Sequence, residues 1–419
     1  MDKNIIILLP QKISILRNKK NQDIAIDQEE YNIYYQNIIY PYSDNYDIQI
    51  DCKYGKNLGH CWRLSSFSDD MSTFDFTLNI YGDYGELLAT KSCIIEIVDK
   101  KACEEIKLLC IGDSMTRSEI YIQQAVDKAR NIKTLGLRNI AYNVNHEGRG
   151  GWSSYVYLEG SYEDEKNGKY GVSPFLFPIG YSAKEYFGDK RFWDKINSGE
   201  YSAGYNYAGI KPQQIDEGMV CCDGGILYRY ENGEYVEENK SPEFEFSFGK
   251  YIERYDIEKP DIVSILFGSN ELQTCKYADA DKEIEKFVST LQKMVKSIKQ
   301  YSNDIKIIIN LPVRGADQYS WGNQMGCVSS LKQYNYCIMK AAEALLNTFD
   351  GKTDENIFIC PMIAVCDPVA GFPSGSMKMN IYSEKTEIKQ TNWVHPSNVG
   401  YKQMGDALAA TIMNIRQNM

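Results

Sequence analysis

The chain has 419 residues, 43% of them hydrophobic and 25% charged, values typical of a folded globular protein large enough for two domains. Its formal net charge of -11 argues against nucleic acid or an anionic membrane as a partner, because either would require a basic surface. We therefore expect a neutral or small-molecule substrate.

The N-terminus leads into only five consecutive apolar residues, Ile5–Leu9, before Pro10. This run is too short for the core of a signal peptide, and no later stretch approaches the length of a membrane-spanning helix. The sequence therefore predicts a cytoplasmic or phage-associated protein without a membrane partner. An extracellular location stays open if the chain has been trimmed.

Twelve cysteines are scattered without a Cys-x-x-Cys pair, and the chain has three histidines. Neither residue type shows the spacing of zinc ligands, so we expect no metal and no cofactor. The cysteines are interpreted as reduced, mostly buried thiols. The alternative is a disulfide in the N-terminal region, such as Cys52 with Cys61 or Cys93 with Cys103.

Residues 1–104 show short β-type runs separated by polar turns. The runs are Ile5–Leu9, Ile33–Ile39, Tyr46–Cys52, Phe74–Ile80 and Leu87–Val98. Strict alternation of apolar residues in Phe74–Ile80 is typical of a half-buried strand. The segment therefore predicts a small antiparallel β-sandwich, Ig-like or accessory, whose aromatic residues form core and surface or, alternatively, a sugar-stacking face.

From Ile106 onward, strands alternate with helices, which predicts a three-layer α/β/α domain over residues 105–419. The sheet is expected to be five-stranded and mostly parallel. Its strands are predicted near Ile106–Ile111, Asn139–Val144, Asp261–Phe267, Ile305–Asn310 and Asn356–Ile359. Apolar residues between Ile284 and Ile298 recur at helical spacing, so one face of that helix should pack on the sheet.

A long insertion at about residues 153–259 does not fit a minimal α/β domain. It is rich in Tyr, Phe, Gly and Asn, and Asn232-Gly233 between two β-type runs predicts a hairpin over Ile226–Glu238. We interpret the insertion as a functional lid or binding surface, with a small structural subdomain as the alternative.

The candidate chemistry begins at Gly112-Asp113-Ser114, which ends the first apolar strand just before a helical segment. Ser114 would then lie at the carboxyl edge of a parallel sheet, beside helix amides that can stabilise an anion. Gly-Asp-Ser is also an ordinary turn sequence, so this motif alone does not establish a nucleophile.

Three further motifs follow in order: His146–Ser153, Phe267–Glu271 and Asn392–Pro396. With Gly-Asp-Ser they resemble the SGNH hydrolases, also called GDSL-type lipases and acylhydrolases, whose four blocks carry Ser, Gly, Asn and His in this order. The resemblance covers about residues 106–415. It implies a carboxylic ester hydrolase with Ser114 as nucleophile and His395 as general base and acid.

The resemblance also implies an oxyanion hole made by the backbone amides of Ser114 and Gly151 and the side-chain amide of Asn270. Gly151 is preferred over Gly148 and Gly150 because Ser153 follows it at the second position, as family members tend to have. The alternatives are a glycine-rich turn without chemistry and a capping role for Asn270. The other histidines, His60 and His146, have no convincing base context.

Two positions depart from the family pattern. Asn392 stands where the fourth block usually has Asp, and Glu271 stands where the third block usually has Asp. Some carbohydrate esterases of similar layout are described as using a Ser-His dyad, so Asn392 does not imply inactivity. Asn392 could orient His395 through its carbonyl oxygen, and we expect a backbone carbonyl or a side chain such as Glu387 to hold the ring.

The chain has no Gly-x-Ser-x-Gly elbow and no phosphate-binding Gly-rich loop, which argues against an α/β-hydrolase and an NTPase. The sequence thus predicts a metal-independent serine esterase for short acyl groups, first of all acetyl, on a carbohydrate. Alternatives are a lipid ester or thioester hydrolase, and a glycan-binding component of a phage tail or cell-surface assembly with little turnover. The oligomeric state is not predicted.

Overall fold

A computed structural model describes residues 5–17, 30–99, 104–160, 173–199, 209–317 and 330–417. Within these ranges, no helix is both long and apolar enough to cross a membrane. Cys103 and parts of the predicted insertion lie outside the described residues.

The N-terminal region is rich in β-strands, as predicted. Its elements are β1 (Ile6–Ile7), β2 (Lys12–Arg17), β3 (Tyr31–Tyr34), α1 (Tyr35–Ile38), β4 (Ile39–Tyr40), β5 (Asp47–Cys52), β6 (Lys56–Asn57), β7 (Cys61–Leu64), β8 (Thr73–Tyr81) and β9 (Leu87–Asp99). They form a sheet of order β2-β9-β8-β5, a sheet of order β3-β7-β6 and the pair β1-β4. Alternate residues of β8 are buried, which is the half-buried pattern that the sequence predicts.

Two details of this region differ from the prediction. The strands β2 and β9 pair in parallel, with Lys12 opposite Ile94, because they are far apart in the chain and no hairpin forces them to run antiparallel. The predicted strand Ile33–Ile39 is interrupted by the helical turn α1. That turn buries the neighbours Asn37 and Ile38 together, whereas a strand would place them on opposite faces.

The α/β region opens with β10 (Ile106–Gly112), α2 (Ser114–Arg117), α3 (Ile120–Ala129), β11 (Ile132–Leu135) and β12 (Glu147–Gly148). The predicted strand Asn139–Val144 is wrong. The sheet strand at this place is β11, and the amides of Ile140, Ala141 and Tyr142 donate to the carboxylate of Glu119 instead of to a neighbouring strand.

The insertion contains α4 (Ser154–Glu159), β13 (Leu176–Pro178), β14 (Tyr186–Asp189), α5 (Lys190–Ser198), β15 (Val220–Asp223), β16 (Ile226–Glu231), β17 (Glu234–Asn239), β18 (Phe244–Phe246) and α6 (Phe248–Arg254). The predicted hairpin is β16-β17, and both turn residues, Asn232 and Gly233, have positive φ as a type I′ turn requires. The sheet β14-β15-β16-β17 has a hydrophobic cluster of its own around Trp193. These features match the subdomain alternative; a role as a lid stays a prediction.

The chain continues with β19 (Ile262–Leu266), α7 (Ser269–Leu272), α8 (Ala280–Tyr301), β20 (Lys306–Asn310), α9 (Leu331–Phe349), β21 (Ile357–Cys360), α10 (Met362–Val365), β22 (Ser374–Lys378), β23 (Thr386–Gln390) and α11 (Asn398–Gln417). The central sheet has the order β11-β10-β19-β20-β21 and is parallel throughout. The α/β fold with a five-stranded parallel sheet is thus confirmed. Helix α8 buries Ile284, Phe287 and Leu291, as its apolar spacing predicts.

The N-terminal region and the α/β region share one hydrophobic core. Polar contacts reinforce this junction: Asn37 Nδ2 donates to the Cys366 carbonyl at 2.6 Å, and the Tyr34 hydroxyl donates to Asp367 at 3.0 Å. At the other end, Asn414 Nδ2 donates to Ser14 Oγ at 2.6 Å. The boundary at residues 104 and 105 stays a prediction.

Asn37 should contribute measurably to stability through this junction. Replacing it in Asn37→Leu keeps the branching but leaves the Cys366 carbonyl without its donor, so the free energy of unfolding should fall by about 1–3 kcal/mol. Urea denaturation followed by fluorescence measures this. The control Lys12→Ala removes an ion pair with Glu96 whose lysine side chain is 55% exposed, and should change stability by about 0.5 kcal/mol or less. Equally small changes in the free energy of unfolding in both variants would contradict a stabilising role for Asn37.

Candidate active site

Ser114 lies where the sequence predicts it, at the carboxyl end of β10 and at the first position of α2. Asp113 caps this helix by accepting a hydrogen bond from the Met115 amide at 2.9 Å. Burial raises the pKa of the Asp113 carboxyl to about 7, although the bond from Met115 opposes the shift. The cap fixes the turn that presents the Ser114 hydroxyl at the sheet edge.

His395 reaches Ser114 from just before α11. Its Nε2 atom lies 2.8 Å from Ser114 Oγ, so the two side chains are hydrogen-bonded. Burial lowers the pKa of His395, and the positive charge of Arg117 lowers it further. The ring is therefore neutral at neutral pH, the state in which Nε2 can accept the serine proton.

Asn392 does not direct its carbonyl oxygen at the His395 ring, although the sequence leaves that role open. Its Oδ1 accepts hydrogen bonds from the amides of Val394 and His395, both at 2.9 Å. These two donors turn the Nδ2 group toward the ring, 3.4 Å from His395 Nδ1. When His395 acts as a base, its Nε2 is unprotonated and its ring proton is on Nδ1. The Nδ1–H group and the Asn392 Nδ2 group are then two donors that face each other.

The expectation that Glu387 orients the ring is also wrong. Its carboxylate forms an ion pair with Lys389 at 2.8 Å, on strand β23. Across the described ranges, the ring nitrogens of His395 have hydrogen-bond contacts only with Ser114 and Asn392. The described residues therefore form a Ser-His pair in which Asn392 shapes the turn that holds the histidine.

Gly151 is the glycine of this loop whose backbone amide the sequence predicts as an oxyanion donor. The Gly148 amide is already engaged, donating to His146 Nδ1 at 2.8 Å, and Gly150 also has a partner. The Gly151 amide has no acceptor in the part of the chain that the structure describes, and the residue is exposed. Its φ of 74° is strained for other residues, which explains a glycine at this position.

Asn270 lies in α7, directly after strand β19. Its side-chain amide donates to the Trp152 carbonyl at 2.9 Å, which ties it to the residue after Gly151. Glu271 joins the same two loops, since its carboxylate accepts from the Ser154 and Gly268 amides. Glu271 thus fills a packing role, and burial raises its pKa.

A comparison with known protein families identifies the family of this chain. Residues 108–408 match the model of a family described as GDSL-like lipase/acylhydrolase. The chain belongs to this family. It is therefore a carboxylic ester hydrolase that acts on a small-molecule ester, and the resemblance drawn from the four blocks is confirmed. A search of curated proteins found no match.

Among solved structures, a possible lipase from Chitinophaga pinensis is 12% identical with a TM-score of 0.34, covering 74% of this chain and 99% of that chain. An acetyl esterase mutant with acetate ion is 11% identical with a TM-score of 0.33, covering 75% and 99%. A salicylyl-acyltransferase from a tetracycline biosynthetic pathway is 10% identical with a TM-score of 0.28, covering 98% and 79%.

Sequence reasoning missed a set of buried charged residues around the second block of this hydrolase. They are Glu119, Arg138, Glu147 and Arg149. Glu119 has the appearance of a surface residue at the start of an amphipathic helix, so its sequence context gives no signal of burial. His146, which has no convincing base context in the sequence, pairs with Glu119 at 3.0 Å.

The residues that the structure describes include no group of three or more His, Cys, Asp or Glu side chains that could hold a metal ion. Cys52, Cys61 and Cys93 are free thiols, so the Cys52–Cys61 disulfide does not form. The pairing of Cys93 with Cys103 falls partly outside the described residues.

Asn392→Asp should raise kcat of this hydrolase by about tenfold, the effect of one added hydrogen bond. One carboxylate oxygen can keep the two backbone bonds, while the other replaces the opposing donor at His395 Nδ1. Steady-state kinetics on an aryl acetate at pH 8 measures the change. Asn392→Ala, which removes the acceptor of the two backbone amides and the group that faces His395 Nδ1, should lower kcat. Equal or lower kcat in the Asp variant would contradict the proposed donor conflict.

The acid limb of kcat/KM should have an apparent pKa below 6.5, because burial and Arg117 lower the pKa of His395 and its neutral form is the active one. Activity should thus persist to lower pH than for an ordinary histidine. Arg117→Gln should raise that apparent pKa. A limb above 6.5 in the wild type, or one that Arg117→Gln leaves in place, would assign the limb to another group.

Proposed function

We propose that Ser114 and His395 catalyse the hydrolysis of short acyl esters, first of all acetyl esters carried by a carbohydrate. The observation that carries this proposal is the 2.8 Å contact between Ser114 Oγ and His395 Nε2 at the carboxyl edge of the sheet. A serine hydroxyl becomes a useful nucleophile when a neutral base is within hydrogen-bond distance.

Acylation begins when Ser114 Oγ attacks the ester carbonyl and His395 Nε2 takes the serine proton. The carbonyl oxygen becomes an oxyanion, which receives hydrogen bonds from the amides of Ser114 and Gly151 and from Asn270 Nδ2. His395 then donates its proton to the leaving alcohol as the C–O bond breaks. The product is an acetyl ester of Ser114 and a free hydroxyl on the carbohydrate.

Deacylation repeats these steps with water as the nucleophile. His395 Nε2 removes a proton from water, the hydroxide adds to the acetyl carbonyl, and the same three donors stabilise the second oxyanion. Collapse returns the proton to Ser114 Oγ and releases acetate. No step requires a metal ion or a cofactor.

The choice of a short acyl group rests on the sequence, in which nothing resembles a long acyl channel, and on the open position of Gly151. The choice of a carbohydrate rests on exposed aromatic side chains, because the flat apolar face of such a ring is suited to stacking on a sugar ring. Tyr142 is 39% exposed in the loop before the second block, and Tyr277 is 52% exposed a few residues beyond Asn270. A lipid ester or thioester is the competing substrate class.

Ser114→Ala and His395→Ala should each remove nearly all turnover of an aryl acetate, and the double variant should be little worse, because the two groups act as a unit. Acetate release from acetylated xylan, chitin-type and peptidoglycan-type polymers identifies the acceptor, with and without EDTA. Wild-type turnover in Ser114→Ala would contradict the nucleophile assignment.

A fluorophosphonate probe separates the esterase from a binding component that has the same fold. Covalent labelling that is lost in Ser114→Ala supports an activated serine. An unlabelled wild-type protein that still binds glycan would favour the binding component instead.

A further inference from the structure

A buried carboxylate links the second-block loop to the helix that follows Ser114. The Glu119 side chain is fully buried and accepts hydrogen bonds from three consecutive backbone amides and from His146 Nε2 at 3.0 Å. Burial disfavours the ionised form, but the bonds from His146 and the three amides outweigh it and lower the pKa of Glu119. Glu119 is therefore an anion at the working pH.

His146 is held in one neutral tautomer. Its Nδ1 accepts a hydrogen bond from the Gly148 amide at 2.8 Å, so the ring proton is on Nε2, which donates to Glu119. Burial lowers the pKa of His146, and the bond to Glu119 opposes this shift without reversing it. The ring thus joins a buried anion to one backbone amide of the loop.

That amide belongs to a residue packed directly against the nucleophile helix. Gly148 is opposite Gly112 in the sheet, and a Cβ atom at Gly148 would come within 2.4 Å of the Arg117 nitrogen in α2. The Gly148 carbonyl accepts from Arg138 at 2.7 Å, and the next amide, that of Arg149, donates to the Gly112 carbonyl at 3.0 Å. Gly151 follows within the same loop.

We propose that Glu119 and His146 are positioning residues for the oxyanion hole, acting through the Gly148 amide to hold the Gly151 amide toward the reacting carbonyl. This inference rests on the proposed function of Ser114 and Gly151. Neither positioning residue touches the substrate. Because an oxyanion hole stabilises the transition state more than the ground state, their loss lowers kcat and leaves KM nearly unchanged.

His146→Asn and His146→Leu form a matched pair for this test. Asn Oδ1 occupies the place of His Nδ1 and can accept from the Gly148 amide, whereas Leu has the same branching and no acceptor; both lose the bond to Glu119. We expect kcat on an aryl acetate about tenfold higher for the Asn variant than for the Leu variant, with KM equal within about twofold. Equal kcat values would overturn the proposal.

Ser297→Ala is the control for general destabilisation. It removes a buried side-chain acceptor from another backbone amide, that of Phe248 at 3.0 Å, which belongs to α6 and not to the second-block loop. This variant should lose stability without the loss in kcat. If the Leu variant does not fold, Glu119→Gln takes its place in the test. The glutamine NH₂ group would face the backbone amides and the His146 Nε2–H group that donate to Glu119, so kcat should fall. An unchanged kcat in Glu119→Gln also overturns the proposal.

Hydrogen exchange separates failure of this inference from failure of the proposed function. If the wild type lacks turnover and Ser114 is not labelled by a fluorophosphonate, the esterase proposal fails. Exchange of the Gly148–Trp152 amides still decides the positioning role: faster exchange in the Leu variant than in the Asn variant supports it, and equal rates contradict it.

Discussion

The hydrogen bond between Ser114 and His395 joins residues 281 positions apart in the chain, so the whole hydrolase region must bring these two ends together. The parallel sheet does this because the carboxyl ends of its strands meet at one edge. β10 delivers Ser114, β19 delivers Asn270, and α11 packs against α3 just beyond His395. A shift in register of β10 would displace the serine and its helix amide together.

The loops at that edge are fixed by side chains that carry out no chemistry in the proposed reaction. Glu271 connects the loop of Asn270 to the helix after Gly151, and Asn270 itself binds the Trp152 carbonyl. The donors of the proposed oxyanion hole are thus tied to one another before any substrate binds. Preorganised donors of this kind need no reorganisation during the reaction, which is where electrostatic catalysis gains most.

The N-terminal region also contacts the segment that holds His395. Cys366 and Asp367, which bind Asn37 and Tyr34, are followed by Gly371, whose carbonyl accepts from the Ser397 amide two residues after His395. A strand-rich segment far from Ser114 in the chain therefore supports the loop that precedes α11.

The sequence was sufficient for features that depend on local pattern. Strand β10, the turn at Ser114 and the apolar face of α8 follow from periodicity and turn chemistry within a few residues. It failed for Asn139–Val144, where alternating apolar residues suggest a strand. The amides of that segment bind Glu119, about twenty residues earlier, and periodicity does not report such a partner.

His146 and His395 show why the position of a ring proton in the site is not predictable from composition. His146 has its proton on Nε2 because a backbone amide occupies Nδ1, whereas His395 must keep Nε2 unprotonated to accept from Ser114. The hydrogen bonds to His146 favour its state, whereas the Asn392 amide group that faces His395 Nδ1 is itself a donor and opposes a proton on Nδ1. Among the described residues, no carboxylate forms a hydrogen bond with the His395 ring, so the imidazolium formed during attack lacks the stabilisation that a triad aspartate supplies. Burial and the positive charge of Arg117 lower the pKa of His395, so positive charge on the ring is disfavoured in the resting protein as well as in the proposed transition state.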